Sequence, residues 1–373
     1  MKSIENEWLL DQSIIHLNHA AVGPWPRRTV VAIEEFAKEN ARFGSQQYLK
    51  WIEKENALRN KFKQLINARS SAEIALLKNT SEGLSVIAYG LPWKRGDNIV
   101  ISNEEFPSNR IVWESLTSRF GVEVRRADIS HETPEQSLIS ECDKNTRLVS
   151  ISSVPYASGT RIDLETIGDF CSASNILFCV DAIQSLGALT FDAQKCHADF
   201  VVADGHKWML GPEGVALFYC REAVMDRLEL NQFGWHMLAH AGEFDREDWE
   251  VAKSAKRFEC GSPNSLGIHA LDASLELLLE IGMTNVESEV LKRSQLLTQL
   301  IMEHGSLKLH SSLEDKRMSG IVNFSHRQED TQQLFRTLQD QGVLCAQRGA
   351  GIRFSAHYYT PLVQLERAID FCL

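Results

Sequence analysis

Between about residue 70 and residue 220 the chain repeats one pattern, a strand-length apolar run followed by a stretch with helical spacing. The runs are EIALLK, NIVIS, RLVSISSV, ILFCVD, DFVVAD and GVALFYC, each rich in Val, Ile, Leu or Phe. A run that is apolar on both alternating faces is buried on both, as in a parallel sheet covered by helices. The intervening stretches SEGLSVIAYGL and LETIGDFCSASN supply such helices. The alternation predicts an α/β layered fold with a mostly parallel sheet, in which ligands bind at the carboxyl ends of the strands. From about Asn264 the pattern changes. Two long helical stretches, LGIHALDASLELLLEIG and NVESEVLKRSQLLTQLIMEHG, precede the strand candidates SGIVNFSH and GIRFSAH, which predicts a second, smaller α+β unit. The acidic, aromatic segment between Asn231 and Glu250 lacks periodicity and reads as a long surface loop.

A chain of 373 residues holds one large core and a smaller one. The net charge of -11 argues against nucleic acid or an anionic membrane as a partner. No apolar window is long enough to span a membrane. The N-terminus, with acidic residues before its short apolar run, is unlike a signal peptide. The eight cysteines lack CxxC pairing and are expected to be free thiols in a reducing cytoplasm.

The chemistry-bearing residues fall at strand ends. In ADGHKWMLGPEG the strand DFVVAD ends, a glycine turns the chain, and His206 and Lys207 follow at the sheet edge. A lysine amine condenses with a carbonyl cofactor once it loses its proton, and burial or a cationic ring lowers its pKa. A solvated turn is the other reading of a His-Lys pair, although the following WMLGP is too apolar for a simple exposed one. One strand earlier, ILFCVDAIQS places Asp181 at the end of an apolar run, where a carboxylate is costly unless it meets a cation or a donor. A protonated pyridine nitrogen meets that need, and so does the cap of a following helix. Gln184, three residues on, is placed to bond the phenolic oxygen of such a cofactor. Among His19, His206, His236, His240 and His357, His206 is the strongest candidate for proton transfer. His236 and His240 are four apart but have no third ligand in view, so no metal site is expected. No GxGxxG or GxxxxGK loop is present.

In order and spacing these segments resemble the class V aminotransferase family of fold-type I pyridoxal-phosphate (PLP) enzymes, whose members include cysteine desulfurases, isopenicillin N epimerases and kynureninases. The resemblance covers nearly the whole chain. LNHAAVGPWP is similar to the family's N-terminal loop, NTSEG at Asn79 to Gly83 to its phosphate-binding turn, and EEFPSN to the segment whose aromatic stacks on the cofactor. DAIQS and DGHKW match the Asp, Gln and Lys positions, ECGSPN the G-[ST]-P-N turn, and GIRFSAHYYT the R-x-S-x-H-x-Y-N-T segment. The resemblance implies PLP carried by Lys207, with Asp181 on the ring nitrogen, Gln184 on the phenolic oxygen, Phe106 stacked on the ring and His206 beside it. Thr80 and Ser81 would hold the phosphate at a helix N-terminus. Arg353 would grip the substrate carboxylate with its guanidinium fork, and Tyr156 and His19 would line the substrate pocket. Ser262 would reach the phosphate of a neighbouring subunit, which implies a homodimer with shared sites. An ordinary helix N-cap at Asn79 to Ser81 and a structural salt bridge at Arg353 fit the same residues. The implied fold is that of fold-type I, with a large PLP-binding domain over 16–265 built on a mostly parallel seven-stranded sheet, and a small α+β domain over 1–15 and 266–373.

Three departures shape the expected activity. Asp204, counted among the cofactor contacts, stands two residues before His206 where many relatives have Ser or Thr, and an anion there repels phosphate unless it is turned away. Tyr156 stands where desulfurases have Asn. Desulfurases carry a mobile loop with a nucleophilic Cys shortly before the C-terminal Arg, whereas here only QRGAG separates Ala346 from Ile352. Cys345 lies earlier, in the strand-like GVLCA, where a buried thiol is expected. The expected activity is therefore transamination or epimerisation at the α-amino group of a small amino acid. A cysteine or selenocysteine lyase using Cys345, or a non-catalytic scaffold with the PLP fold, are the alternatives.

Overall fold

The computed structural model describes residues 6–130 and 133–373. Its centre is a seven-stranded sheet of β2 (Ile74–Leu77), β3 (Asn98–Ser102), β4 (Glu123–Ala127), β5 (Thr146–Ser152), β6 (Leu177–Asp181), β7 (Phe200–Asp204) and β8 (Ala216–Cys220), in the order β2-β8-β7-β6-β5-β3-β4. β8 is antiparallel to both of its neighbours, and the other pairs are parallel. All six apolar runs of the sequence are strands here. Their residues alternate between two apolar cores. Phe178, Val180, Val201 and Ala203 face one core, and Leu177, Cys179, Phe200 and Val202 the other. β4 escaped the hydrophobic pattern because EVRRA sits at the sheet edge, where charged side chains discourage pairing with another chain.

Helices cover both faces. α1 (Arg27–Phe43) and α2 (Tyr48–Leu65) pack on α8 (Ser265–Ile281). α3 (Thr80–Gly90) packs on α4 (Ser108–Phe120) and on β7. α5 (Pro134–Ser140) lies against α6 (Leu164–Ser174), and the short α7 (Glu222–Met225) follows β8. α9 (Met283–Glu303) links the cores, with Val286 and Val290 in the first large core and Leu297 and Ile301 in a third. That third core also holds α10 (Thr331–Asp340), α11 (Leu362–Asp370) and a four-stranded antiparallel sheet of β9 (Leu307–Leu309), β10 (Ile321–His326), β12 (Ala346–Arg348) and β13 (Gly351–Ser355). The chain returns to it at the start, where β1 (Ile15–His16) pairs in parallel with β11 (Val343–Leu344). The expected break at 265/266 falls at the start of α8, whose Ile268, Leu271, Leu275 and Leu278 still pack in the large core.

Among the described residues no helix is long and apolar enough to cross a membrane, and all eight cysteines are unpaired. The stretch from Asn231 to Glu250 is largely exposed and holds only a 3₁₀ turn at Trp235–Met237. His236 and His240 do not meet. His240 is on the surface beside Glu243. His236 is buried between Glu55 and Glu259, where the Arg59 guanidinium already supplies the positive charge, 2.6 Å from Glu259. Glu259 uses its other oxygen to accept the Leu76 N–H of edge strand β2, 2.8 Å away. The cluster thus ties the long surface loop to the sheet edge.

Candidate active site

β2 and β7 are both antiparallel to β8 and so point the same way as β6, β5 and β3. Their carboxyl ends share one edge, and the turns there bring together Thr80, Phe106, Asp181, Asp204, His206 and Lys207. Lys207 is half-buried, with its Nζ 5.7 Å from the centre of the Phe106 ring. Burial lowers its pKa, against the opposing pull of Asp181 and with help from Arg353. Phe106 is 42 % exposed and meets Tyr156 edge to face at 5.2 Å.

Asp181 is buried at the end of β6, and its Oδ1 accepts the Ile183 N–H at 3.1 Å. The chain turns there and no helix follows, so the helix-cap reading of Asp181 is replaced by a tight turn. Burial raises its pKa, and the nearby Glu105 carboxylate adds to the rise while Lys207 opposes it. Glu105 was not singled out in the sequence. It accepts hydrogen bonds from Ser102 Oγ, Ser152 N, Ser152 Oγ and Asn109 Nδ2 at 2.6–3.1 Å, and Ser152 is the strand neighbour of Asp181. Its only sequence signal is its place next to Phe106, because its donors come from β5, β3 and α4.

Gln184 is buried and oriented. The Trp208 indole N–H, which can only donate, points to Gln184 Oε1 at 2.8 Å. That fixes Nε2 as the donor end, and one of its protons goes to Ala20 O at 3.0 Å. Trp208 is another residue the sequence reading passed over, and only the apolar WML after Lys207 hinted at its burial.

The phosphate-turn candidates sit at the start of α3. Asn79 caps the helix by accepting the Glu82 N–H at 2.9 Å, so the N-cap reading of NTSEG is correct as far as Asn79 goes. Among the described residues the buried Thr80 Oγ1 has no hydrogen-bond partner, whereas Ser81 is exposed and its hydroxyl bonds Ser108 Oγ at 2.8 Å. Asp204 is not turned away from this turn. Its Oδ2 lies 3.4 Å from Thr80 N, and its Oδ1 lies 3.4 Å from His206 Nδ1.

Arg353 extends from β13 and is 1 % exposed. Its Nη1 donates to Tyr156 O at 2.8 Å, its Nη2 reaches Asn18 Oδ1 at 3.5 Å, and its Nε has no hydrogen-bond partner among the described residues. Among the described residues it forms no ion pair. Burial and the adjacent Arg348 both push its pKa down, so the salt-bridge reading does not hold in this chain. Asn18 is a third contact that the sequence reading missed, although it lies within LNHAAVGPWP.

One expectation needs correction. His19 does not face substrate. It is fully buried, its Nδ1 lies 2.9 Å from Ser355 O and its Nε2 2.6 Å from Tyr359 OH, which leaves neither nitrogen for a ligand. Cys345 is the buried thiol that its apolar neighbours predict. It is 6 % exposed in the third core, between β11 and β12, and burial pushes its thiol up to about 12. The following connection is a tight hairpin that pairs Arg348 with Gly351 around Gly349 and Ala350. Ser262 is exposed just before α8.

A close approach locks the lysine turn. Gly23 N donates to His206 O at 2.8 Å, and a Cβ on Gly23 would stand 2.3 Å from Lys207 O. Gly23→Ala is expected to cost about 2–3 kcal/mol, the upper part of the overpacking range, and to lower cofactor occupancy. Thermal denaturation and absorbance of the loaded protein check both; unchanged occupancy would separate this loop from the site.

The model of the family described as aminotransferase class-V matches residues 15–364. The chain belongs to the class V aminotransferase family. Members of this family are pyridoxal-phosphate enzymes of fold-type I. This class V enzyme is similar to the probable cysteine desulfurase of Methanothermobacter thermautotrophicus, with 29% identity over 375 residues that cover 94% of this chain and 92% of the relative. Its fold is similar to that of the apo cysteine desulfurase from Thermococcus onnurineus, at a TM-score of 0.87 and 24% identity, covering 99% of this chain and 96% of the other. It is also similar to the cystine C–S lyase C-DES, solved with its reaction product cysteine persulfide, at a TM-score of 0.88 and 20% identity, covering 96% and 97%.

Proposed function

We propose that this class V enzyme carries PLP on Lys207 and breaks the carbon–sulfur bond of a cysteine-type amino acid, the sulfur leaving the substrate without passing through an enzyme thiol. Similarity to proteins named for cysteine and cystine chemistry favours a lyase over the transamination or epimerisation expected from the sequence. The observation that carries the rest is Cys345, a buried, high-pKa thiol ahead of a two-residue hairpin, where a desulfurase needs an exposed and mobile one.

The residues around Lys207 fit PLP by what they lack. Asp181 is a buried carboxylate with a raised pKa and one backbone donor, a setting that a pyridinium N–H would complete. Thr80 Oγ1 is a buried hydroxyl without a partner at a helix N-terminus. Arg353 is a buried guanidinium without a counter-charge, suited to a substrate carboxylate. Bound PLP supplies an electron sink for the charge that develops at the substrate α-carbon. Arg353 and Asn18 orient the substrate so that its α-proton faces Lys207. Lys207, with its lowered pKa, takes that proton as general base. Gln184 keeps its remaining Nε2 proton for the phenolic oxygen because Trp208 holds the amide. Phe106 and Tyr156 exclude water from one side. The C–S bonding pair then leaves with the sulfur, and water converts the released aminoacrylate to pyruvate and ammonia. Ser262 is assigned to the phosphate of a second copy in a homodimer, and the eight free thiols suit the cytoplasm.

PLP-loaded protein given L-cysteine or L-cystine should release pyruvate in step with sulfide or persulfide. Alanine as the main product would favour a desulfurase, and amino transfer to an added 2-oxo acid an aminotransferase. Cys345→Ala should lose about 1 kcal/mol of stability to packing and keep its turnover within about twofold, less than 0.5 kcal/mol of barrier. A hundredfold loss on cysteine would restore the thiol mechanism.

A further inference from the structure

We infer that Asp204 makes the phosphate subsite of this chain a weak one, so that the site distinguishes poorly between PLP and unphosphorylated pyridoxal; the inference rests on the cofactor reading above. The first turn of an eleven-residue helix, α3, carries partial positive charge from its amides, which ordinarily attracts an anion, and the Glu82 amide is already capped by Asn79. Here an anion is already tethered to it. Asp204 ends β7, is 8 % exposed, and holds Oδ2 3.4 Å from the Thr80 amide. Among the described residues Thr80 Oγ1 is buried without a hydrogen-bond partner, and Asp204 Oδ1 and His206 Nδ1 are buried with only each other, 3.4 Å apart and making no hydrogen bond. That is the signature of a site built for a ligand with its own polar groups.

The chemistry of the trio selects among ligands. A phosphate dianion offers only acceptors, and so does the Asp204 carboxylate, so the two repel and compete for the Thr80 amide. The hydroxymethyl group of pyridoxal has a proton to give Asp204 and a lone pair for Thr80. The charges facing Asp204 do not cancel this preference. His206 is its only ion-pair neighbour among the described residues. Lys207 is shared with Asp181, itself a carboxylate close enough to Asp204 for their charges to interact.

The test is a titration of the full-length, cofactor-stripped protein with PLP and with pyridoxal, read by the visible absorbance of the Lys207-bound chromophore. The ratio of the two dissociation constants isolates the phosphate, because any change in Lys207 or in folding weighs on both ligands. Wild type should favour PLP by less than about tenfold, and Asp204→Ser should raise that preference by about tenfold or more, each tenfold being about 1.4 kcal/mol. Asp204→Asn, which keeps the shape and gives the amide a donor, should move the ratio the same way and serves if the serine variant fails to fold. A ratio unchanged or lowered in both variants overturns the inference while the cofactor reading stands. If neither ligand produces a Lys207-dependent band in any of the three proteins, the cofactor reading falls and takes the inference with it.

Discussion

Lys207→Ala is expected to take up no borohydride-fixed label and to turn over at least about 10³-fold more slowly, within the range that a general base contributes. In the wild-type protein, reduction after PLP loading should place a phosphopyridoxyl group on Lys207 in a peptide map. The expectation follows from how the turn is held. His206 is pinned through its carbonyl by Gly23, Trp208 is pinned through its indole by Gln184 and through its carbonyl by His357 Nε2 at 2.9 Å, and the Lys207 Nζ lies 5.7 Å from the Phe106 ring centre with no hydrogen bond or ion pair among the described residues. A label on another lysine, or none on saturated wild-type protein, would remove Lys207 from the centre of the site.

Asp181→Asn separates activity from stability. The amide keeps the Oδ1 acceptor for Ile183 and so preserves the turn. What it loses is the charge. With PLP bound, the loss of a charge-assisted hydrogen bond of about 3 kcal/mol predicts turnover lower by about two orders of magnitude. Without PLP the sign reverses. A carboxylate whose folded-state pKa is raised contributes stability that is present below its unfolded value of about 4 and is lost as pH rises through the higher folded value. At pH 7, well above the unfolded value, the cofactor-free wild type has lost most of that stability, and Asp181→Asn, which does not titrate, should be more stable by about 1–2 kcal/mol and unfold at a higher temperature. Near wild-type turnover together with a lower melting temperature would reduce Asp181 to a turn-former.

The sheet was legible because its strands are buried on both faces, and burial on both faces writes itself as unbroken apolar runs. β4 was not, since an exposed edge strand carries charges for a reason unrelated to local propensity. At the site, the candidates Lys207, Asp181, Gln184 and Arg353 could be picked out from the order of DAIQS, DGHKW and GIRFSAH, and the structure buries Asp181, Gln184 and Arg353 and half-buries Lys207. Those whose place depends on distant partners could not. His19 looked like a pocket residue until Ser355 and Tyr359, 336 and 340 positions away, claimed both nitrogens. Glu105 gains its weight from Ser152, 47 positions on. The burial of Cys345 could be read from its apolar neighbours, and its distance from the chemistry from the shortness of QRGAG.

The strap from Leu17 to Gly23 has a mechanical consequence. Leu17 O accepts from Ser355 N, Ala20 N donates to Ser355 Oγ, Ala20 O holds Gln184, and Gly23 N holds His206 O. Ser355 lies on β13, two residues from Arg353. The strand that carries Arg353 is thus strung by seven residues of backbone to the Gln184 amide and the turn beside Lys207. Arg353 and the turn that carries Lys207 therefore hang on one set of hydrogen bonds, and a shift of either is resisted by the other.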